Sequence, residues 1–397
     1  MKKCVWVAVL LALIGFETGF AQTTEPTTNV SGAVLVRQLL DEARDALRNN
    51  NPQKADASFS RLVQMAREAY AAEDGASAEW ILNQVLDVSD YLDAHFTLAE
   101  LYRQTDRPFR AVQHYDRYIE ANPTDTAARF GRGTSYLLVE RYSLAIRDLD
   151  YLIEKLAPNH VLGLSNLALA FRGQAVKEKG NLEIYSKALD YMRRAVEAAA
   201  ADETQQAQLP DYRYRLAQFS SEYQQILSRS RPESVNYAET IALFRDAMRE
   251  SQTLIRKDPT SLDVLDQIGR CLDGLTGVYQ AEADLKPNDP EPNLRLAEIT
   301  EQRKALANRR WSILSLGYIN KAVKLNPKDA KSYVLLAQTY VNLGLLGDAR
   351  QALEQATAIE PENETYKKIL SELTERIRTT TQPATKPTSE PSAESPR

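Results

Sequence analysis

His95, His114, His160 and Cys271, with the aspartates Asp87, Asp90 and Asp93, are the side chains whose types could hold a metal or attack a substrate. Neither His114 nor His160 has a partner at metal-ligand spacing. His95 takes the large-aromatic place of a repeating helical pattern, which favours packing over ligation. The three aspartates straddle a helix end and a helix start, where carboxylates answer the helix dipole. Cys271 lies beside Leu272 and near Ile268 in a helical stretch, and reads as a small buried residue, not a nucleophile. No G-x-x-x-x-G-K-[ST], G-x-S-x-G or H-E-x-x-H motif occurs. With no paired acid and base and no nucleophile, the expectation is a protein that is not an enzyme and that has no metal site and no cofactor.

Aromatic recognition is the other chemistry within reach. The chain has 19 tyrosines, with Trp80 and Trp311 beyond its first twenty-one residues. Such a surface could stack sugars. Most tyrosines, however, fall at helix-packing places: Tyr102, Tyr115, Tyr136, Tyr142, Tyr333 and Tyr340. The exception is Tyr212-Arg213-Tyr214-Arg215, where aromatic and cation alternate; surface recognition and helix packing both suit it.

The elements that would position these residues are clearest over 330–363. Tyr333 is followed by Leu336-Ala337, Tyr340, Gly344, Ala349, Leu353, Ala356 and Pro361. This spacing predicts two short antiparallel helices, close at Ala337 and Ala349 and stopped at Pro361. The pattern resembles the tetratricopeptide repeat, a helix pair of about 34 residues. The resemblance implies an all-α fold, a right-handed α-solenoid superhelix of about seven helix pairs, and a binding role.

Composition agrees with a helical chain. Of 397 residues, 43% are hydrophobic and 26% charged, enough for a core, while Gly 15 and Pro 17 are few for a β protein. The net charge of −5 is spread along the chain and no basic stripe is visible, so no nucleic-acid partner is expected. Lys2 and Lys3, an apolar run over 5–16 and Gly19-Phe20-Ala21 read as a signal peptide cleaved after Ala21, with export to the periplasm or the extracellular surface. The run is too short to span a bilayer, so no stable membrane span remains after cleavage, although an uncleaved anchor is the alternative. One cysteine, Cys271, is then left, and no disulfide framework.

In order, residues 22–30 read as a disordered linker and 31–57 as an N-terminal helical segment. Repeats one to three span 58–159; Tyr102 to Tyr136 and Ala111 to Ala145 are each 34 apart. Arg132-Gly133 with Asp148 and Asp150 resembles a common family variant, in which Arg132 makes an intra-repeat ion pair. Enlarged repeats four to six span 160–329. Their facing small residues, Ala168–Ala188, Ala217–Ala247 and Gly269–Ser315, are 20, 30 and 46 apart against 12 in regular units. The excess is placed between first and second helices, as a crest, with helices at about 261–284 and 292–326. Repeat seven spans 330–363, a capping helix 364–378 and a disordered tail 379–397.

In the family, first helices line the concave side. Carried over by position, that puts Phe96, Glu100 and Arg103, then Phe130, Thr134 and Leu137, then Ser165, Leu169 and Arg172 in the groove. Phe96 and Phe130 would grip an apolar segment there, or be half-buried between first helices. The expected function is a protein-binding scaffold of the bacterial cell envelope that holds a protein or peptide; the alternative is a subunit of a polysaccharide export or envelope assembly system.

Overall fold

The computed structural model describes residues 30–381, so the expected signal peptide, nearly all of the linker and the tail from 382 lie outside the described residues. Among the described residues there are sixteen α-helices and no strand. They divide into two compact units at residue 156.

The first unit holds α1 (Val30–Arg48), α2 (Pro52–Ala71), α3 (Gly75–Leu86), α4 (Leu92–Gln104), α5 (Pro108–Ala121), α6 (Thr126–Leu138) and α7 (Tyr142–Tyr151), which ends in a π-helical turn, Leu152–Leu156. The pairs α2–α3, α4–α5 and α6–α7 are the expected helix hairpins, with α1 ahead of them. α2 starts at Pro52, ahead of the expected repeat start at 58. Asn51 accepts from the Lys54 amide at 3.1 Å and Pro52 takes the first helical position, so the helix begins as soon as the Asn49–Asn51 turn ends.

Local chemistry sets most ends. Asp74 and Asp125 cap α3 and α6 by accepting from Ser77 N at 3.0 Å and Ala128 N at 2.8 Å. Glu73, Asp106 and Glu140 turn the chain within each pair at left-handed φ of 64°, 56° and 55°. Alanines lie at the closest crossings: Ala99, Ala111 and Ala145 are fully buried. Gly133 does the same on α6, where a Cβ would lie 2.8 Å from Leu149.

The second unit holds α8 (Val161–Lys177), α9 (Leu182–Ala201), α10 (Leu209–Ser230), α11 (Ala238–Lys257), α12 (Leu262–Leu285), α13 (Glu291–Leu325), α14 (Ala330–Leu343), α15 (Leu346–Ile359) and α16 (Glu364–Thr381). Four pairs, α8–α9 to α14–α15, are followed by the single helix α16. The extra length expected in the turns is taken up largely as helix: α8 to α13 run 17, 20, 22, 20, 24 and 35 residues, where α4 to α7 run 13, 14, 13 and 10. Adding a residue to a helix satisfies its backbone hydrogen bonds; adding it to a loop does not.

Ala168, Ala188, Ala217 and Ala247 are fully buried in α8 to α11. Gly269 does not face Ser315. A Cβ there would meet Leu306 at 3.5 Å, so α13 is offset from the assumed register. α16 runs through Thr381, past the expected tail start at 379, and buries Leu373 against the last pair.

Candidate functional site

The expected groove positions of the first unit are largely tied to their own repeat. Phe96 is half-buried, 5.0 Å from the Tyr118 ring and edge-on to Tyr115 at 6.3 Å. Glu100 accepts from the Tyr115 hydroxyl and, at 2.6 Å, from Arg103 Nη2. Burial, then the Glu100 charge, push the Tyr115 pKa up, so this phenol keeps its proton and donates it. Gly131 makes the arrangement possible, since a Cβ there would overlap the Tyr115 hydroxyl. A cleft of about 240 Å³ remains between α2 and α4, lined by Phe96, Thr97, Glu100 and Gln104 among others. Phe130, Thr134 and Leu137 are half-buried on α6, with Phe130 and Thr134 engaged by neighbours.

The three positions in the second unit fare less well as groove residues. Ser165 is 1% exposed, and its hydroxyl has no hydrogen-bond partner; it is core, not groove. The position is enclosed because α8 is buried on more than one side, with Leu164, Leu167, Ala168 and Ala170 all inside. Leu169 is half-buried. Arg172 is clamped on Glu222 by two 2.7 Å hydrogen bonds, and Tyr185 donates to the same carboxylate at 2.6 Å. Within the first unit, Phe96 and Glu100 of the expected set line one cleft.

The residues singled out for chemistry are structural. Asp90 accepts from His95 Nε2 at 2.8 Å, and His95 Nδ1 meets His114 Nδ1 at 2.8 Å. With Nε2–H of His95 directed at Asp90, a neutral pair needs His114 to donate. Burial first, then the His95 and Arg110 charges, lower the His114 pKa to about 4. The relay ends on the Tyr102 ring, 5.5 Å away, not on a nucleophile. His160 caps α8, its Nδ1 accepting from Gly163 N at 2.9 Å. Arg132 holds the fully buried Asp148 through two bonds of 2.6 and 2.7 Å and reaches Asp116 at 2.6 Å, the ion pair expected of it. Cys271 is fully buried and burial pushes its thiol up to about 12. Tyr212 is buried, and Tyr214 packs on Phe244 with Arg270 over it. Among the described residues no cluster of side chains is arranged to hold a metal ion.

A larger open site lies elsewhere, in the second unit. A cleft of about 890 Å³ is bounded by α11, α12 and α13, with Asn342 added from α14. Ile255, Leu265, Ile268 and Leu272 give it an apolar floor. Gln252, Gln302, Asn308 and Asn342 place carboxamides in its lining, and Trp311, 68% exposed, stands at its edge. No carboxylate lines it. Arg309 does, bonding the Pro259 carbonyl at 3.1 Å, with its Nε unsatisfied and no carboxylate partner among the described residues. Arg310 and Arg303 secure α13 to α12 through Asp266 and Asp273. A carboxamide both donates and accepts, so this lining can pair with a peptide backbone whatever its sequence. The lining of the cleft comes from four helices separated by turns, which no single stretch of sequence displays. A signal was nonetheless present in α13, which carries Trp311 and Tyr318 opposite its core residues Leu316 and Ile319.

Among solved structures, a tetratricopeptide repeat protein from Parabacteroides merdae is 14% identical, covering 80% of this chain and 98% of its own, with a TM-score of 0.37. PilF of Pseudomonas aeruginosa is 17% identical over 65% of this chain and 99% of its own, TM-score 0.33. MamA of Desulfovibrio magneticus is 14% identical over 49% of this chain and 95% of its own, TM-score 0.38. No curated protein matches the chain. Family models described as tetratricopeptide repeat match residues 63–126 and 316–373. One match falls in each unit, so the two matched segments are tetratricopeptide repeats, within an all-α solenoid fold.

Proposed function

We propose that this chain is a non-enzymatic, protein-binding scaffold of the bacterial cell envelope, and that it holds an extended peptide segment of a partner in the α11–α13 cleft. The observation that carries the reading is that cleft: an apolar floor, four carboxamides and one arginine without a carboxylate partner. Apolar side chains of the segment would seat on Ile268 and Leu272, the carboxamides would pair with its backbone, and Arg309 would take an acidic side chain or terminus. The envelope location rests on the Lys-Lys, apolar, Gly-x-Ala order of the first twenty-one residues. N-terminal sequencing of exported material is expected to begin at Gln22.

A photo-crosslinking amino acid at Gln302, with a second version at Thr97 in the α2–α4 cleft, tests the site. In envelope extract, crosslinked peptides at Gln302 and few at Thr97 are expected. Crosslinks confined to Thr97, or capture of glycan without protein, would overturn it.

A further inference from the structure

α13 has two apolar faces, and the core uses one. Leu316 and Ile319 are buried and Val323 packs beside them. On the opposite side Trp311, Leu314, Tyr318 and Leu325 follow one another at i, i+3, i+7 and i+14, with exposures of 68, 39, 80 and 78%. At 100° per residue these four lie within about 60° of arc, a stripe about 21 Å long. Arg303, Lys304 and Arg310 are paired with Asp273, Glu301 and Asp266, and Arg309 lines the cleft, which leaves Lys321, Lys324 and Lys328, among the described residues, as the free cations beside the stripe. Residues 302–328 contain seven lysines and arginines and no carboxylate, in a chain whose net charge is −5. This is a basic face that the spread of charge over the whole chain conceals. Lys321, Lys324 and Lys328 are exposed and have no ion pair among the described residues.

We propose that this face of α13 docks on an anionic lipid surface, with Trp311, Tyr318 and Leu325 entering the headgroup boundary and the lysines contacting lipid phosphates. Tryptophan and tyrosine favour the interface because each has an apolar body and a polar tip. Lysine beside an apolar stripe adds attraction to anionic lipid. Charge argues against the other occupants. A second copy laid antiparallel on the stripe would bring Lys321, Lys324 and Lys328 to a surface where residues 302–328 offer no carboxylate to pair them. A nucleic acid would leave Leu314 and Leu325 against a polar backbone. The proposed face shares Trp311 with the edge of the cleft, and the proposal does not depend on the cleft having a peptide in it.

The test uses the full chain with Trp6→Phe and Trp80→Phe, so that emission reports Trp311. Residues 5–16 act equally on parent and variants, which makes this local signal the decisive one. With phosphatidylcholine vesicles containing phosphatidylglycerol, the expected result is a blue shift and quenching by brominated acyl chains, both reversed at high salt. Each lysine is expected to contribute about fivefold in partition. Lys321→Glu with Lys324→Glu should therefore lower binding by more than tenfold. Leu325→Ser with Tyr318→Ser should remove the blue shift without changing the melting temperature, since both side chains point to water. Three results would overturn the proposal: no quenching beyond that with pure phosphatidylcholine, unchanged partition after the charge reversals, or a dimer in sedimentation equilibrium that Leu325→Ser dissolves.

Discussion

The two units solve the same packing problem with helices of different length, and the difference decides where each leaves surface unused. In the first unit α4 to α7 are 10 to 14 residues long, and charged side chains near the crossings find partners within the unit. Glu79 takes Arg107 and Tyr102, Glu100 takes Arg103 and Tyr115, and Asp148 takes Arg129 and Arg132. In the second unit α12 and α13 are 24 and 35 residues long. A helix of α13's length reaches about 52 Å, past the width of any single neighbour. Its flanks stay open as a cleft on one side and as an apolar, basic stripe on another. Regular repeats bury their chemistry; lengthened ones expose it.

The largest expected effect tests whether the first unit depends on its internal charges. Asp148→Ala takes the buried carboxylate from both Arg129 and Arg132, leaving Arg132 with Asp116 alone, and should cost roughly 3–5 kcal/mol in urea unfolding. A loss below about 1 kcal/mol would break the comparison. Replacing Asp148 and Arg132 together by leucine and methionine should recover part of it, because Arg129 alone then lacks its carboxylate.

Close packing is tested next. Gly131→Ala puts a methyl group where the Tyr115 hydroxyl lies, and roughly 2 kcal/mol of destabilisation is expected in the same assay. An unchanged midpoint would show that Tyr115 can leave Glu100 freely.

A pH series adds a third test. His114 has a folded pKa of about 4 against 6.5 for the free group, held down by burial and then by His95. The unfolded chain therefore binds the extra proton first. Stability present above pH 6.5 is lost progressively as pH falls toward about 4. Allowing for the partial exposure of the ring, the loss should be about 1–2 kcal/mol. His114→Gln should flatten this part of the curve of melting temperature against pH; an unaltered slope would remove the histidine pair from the account.

The smallest effect has the opposite sign. Gly317, on the exposed side of α13, would have no atom within 4 Å of an added Cβ. Gly317→Ala should stabilise by up to about 1 kcal/mol through helix propensity alone. Destabilisation there would mean that the α13 face is covered within the folded protein.

Sequence alone determined the local features of this chain. Helix starts are written at Asp125, Ser261 and Asp329, whose side chains cap within three residues. The αL turn at Gly344, the breaks at Pro287 and Pro290, and the buried alanines are equally legible, because capping, backbone restriction and helical period act over a few neighbours. The bounds of α12 and α13 followed from those signals. Tertiary structure decided which charges meet and which faces stay open. Arg172 meets Glu222 across fifty residues, Ser165 turns inward, and Gly269 faces Leu306 and not Ser315. The cleft forms where parts of α11, α12 and α13 come together. Each of these depends on helix lengths and crossing geometry summed over long separations, and no pattern confined to one helix carries that sum.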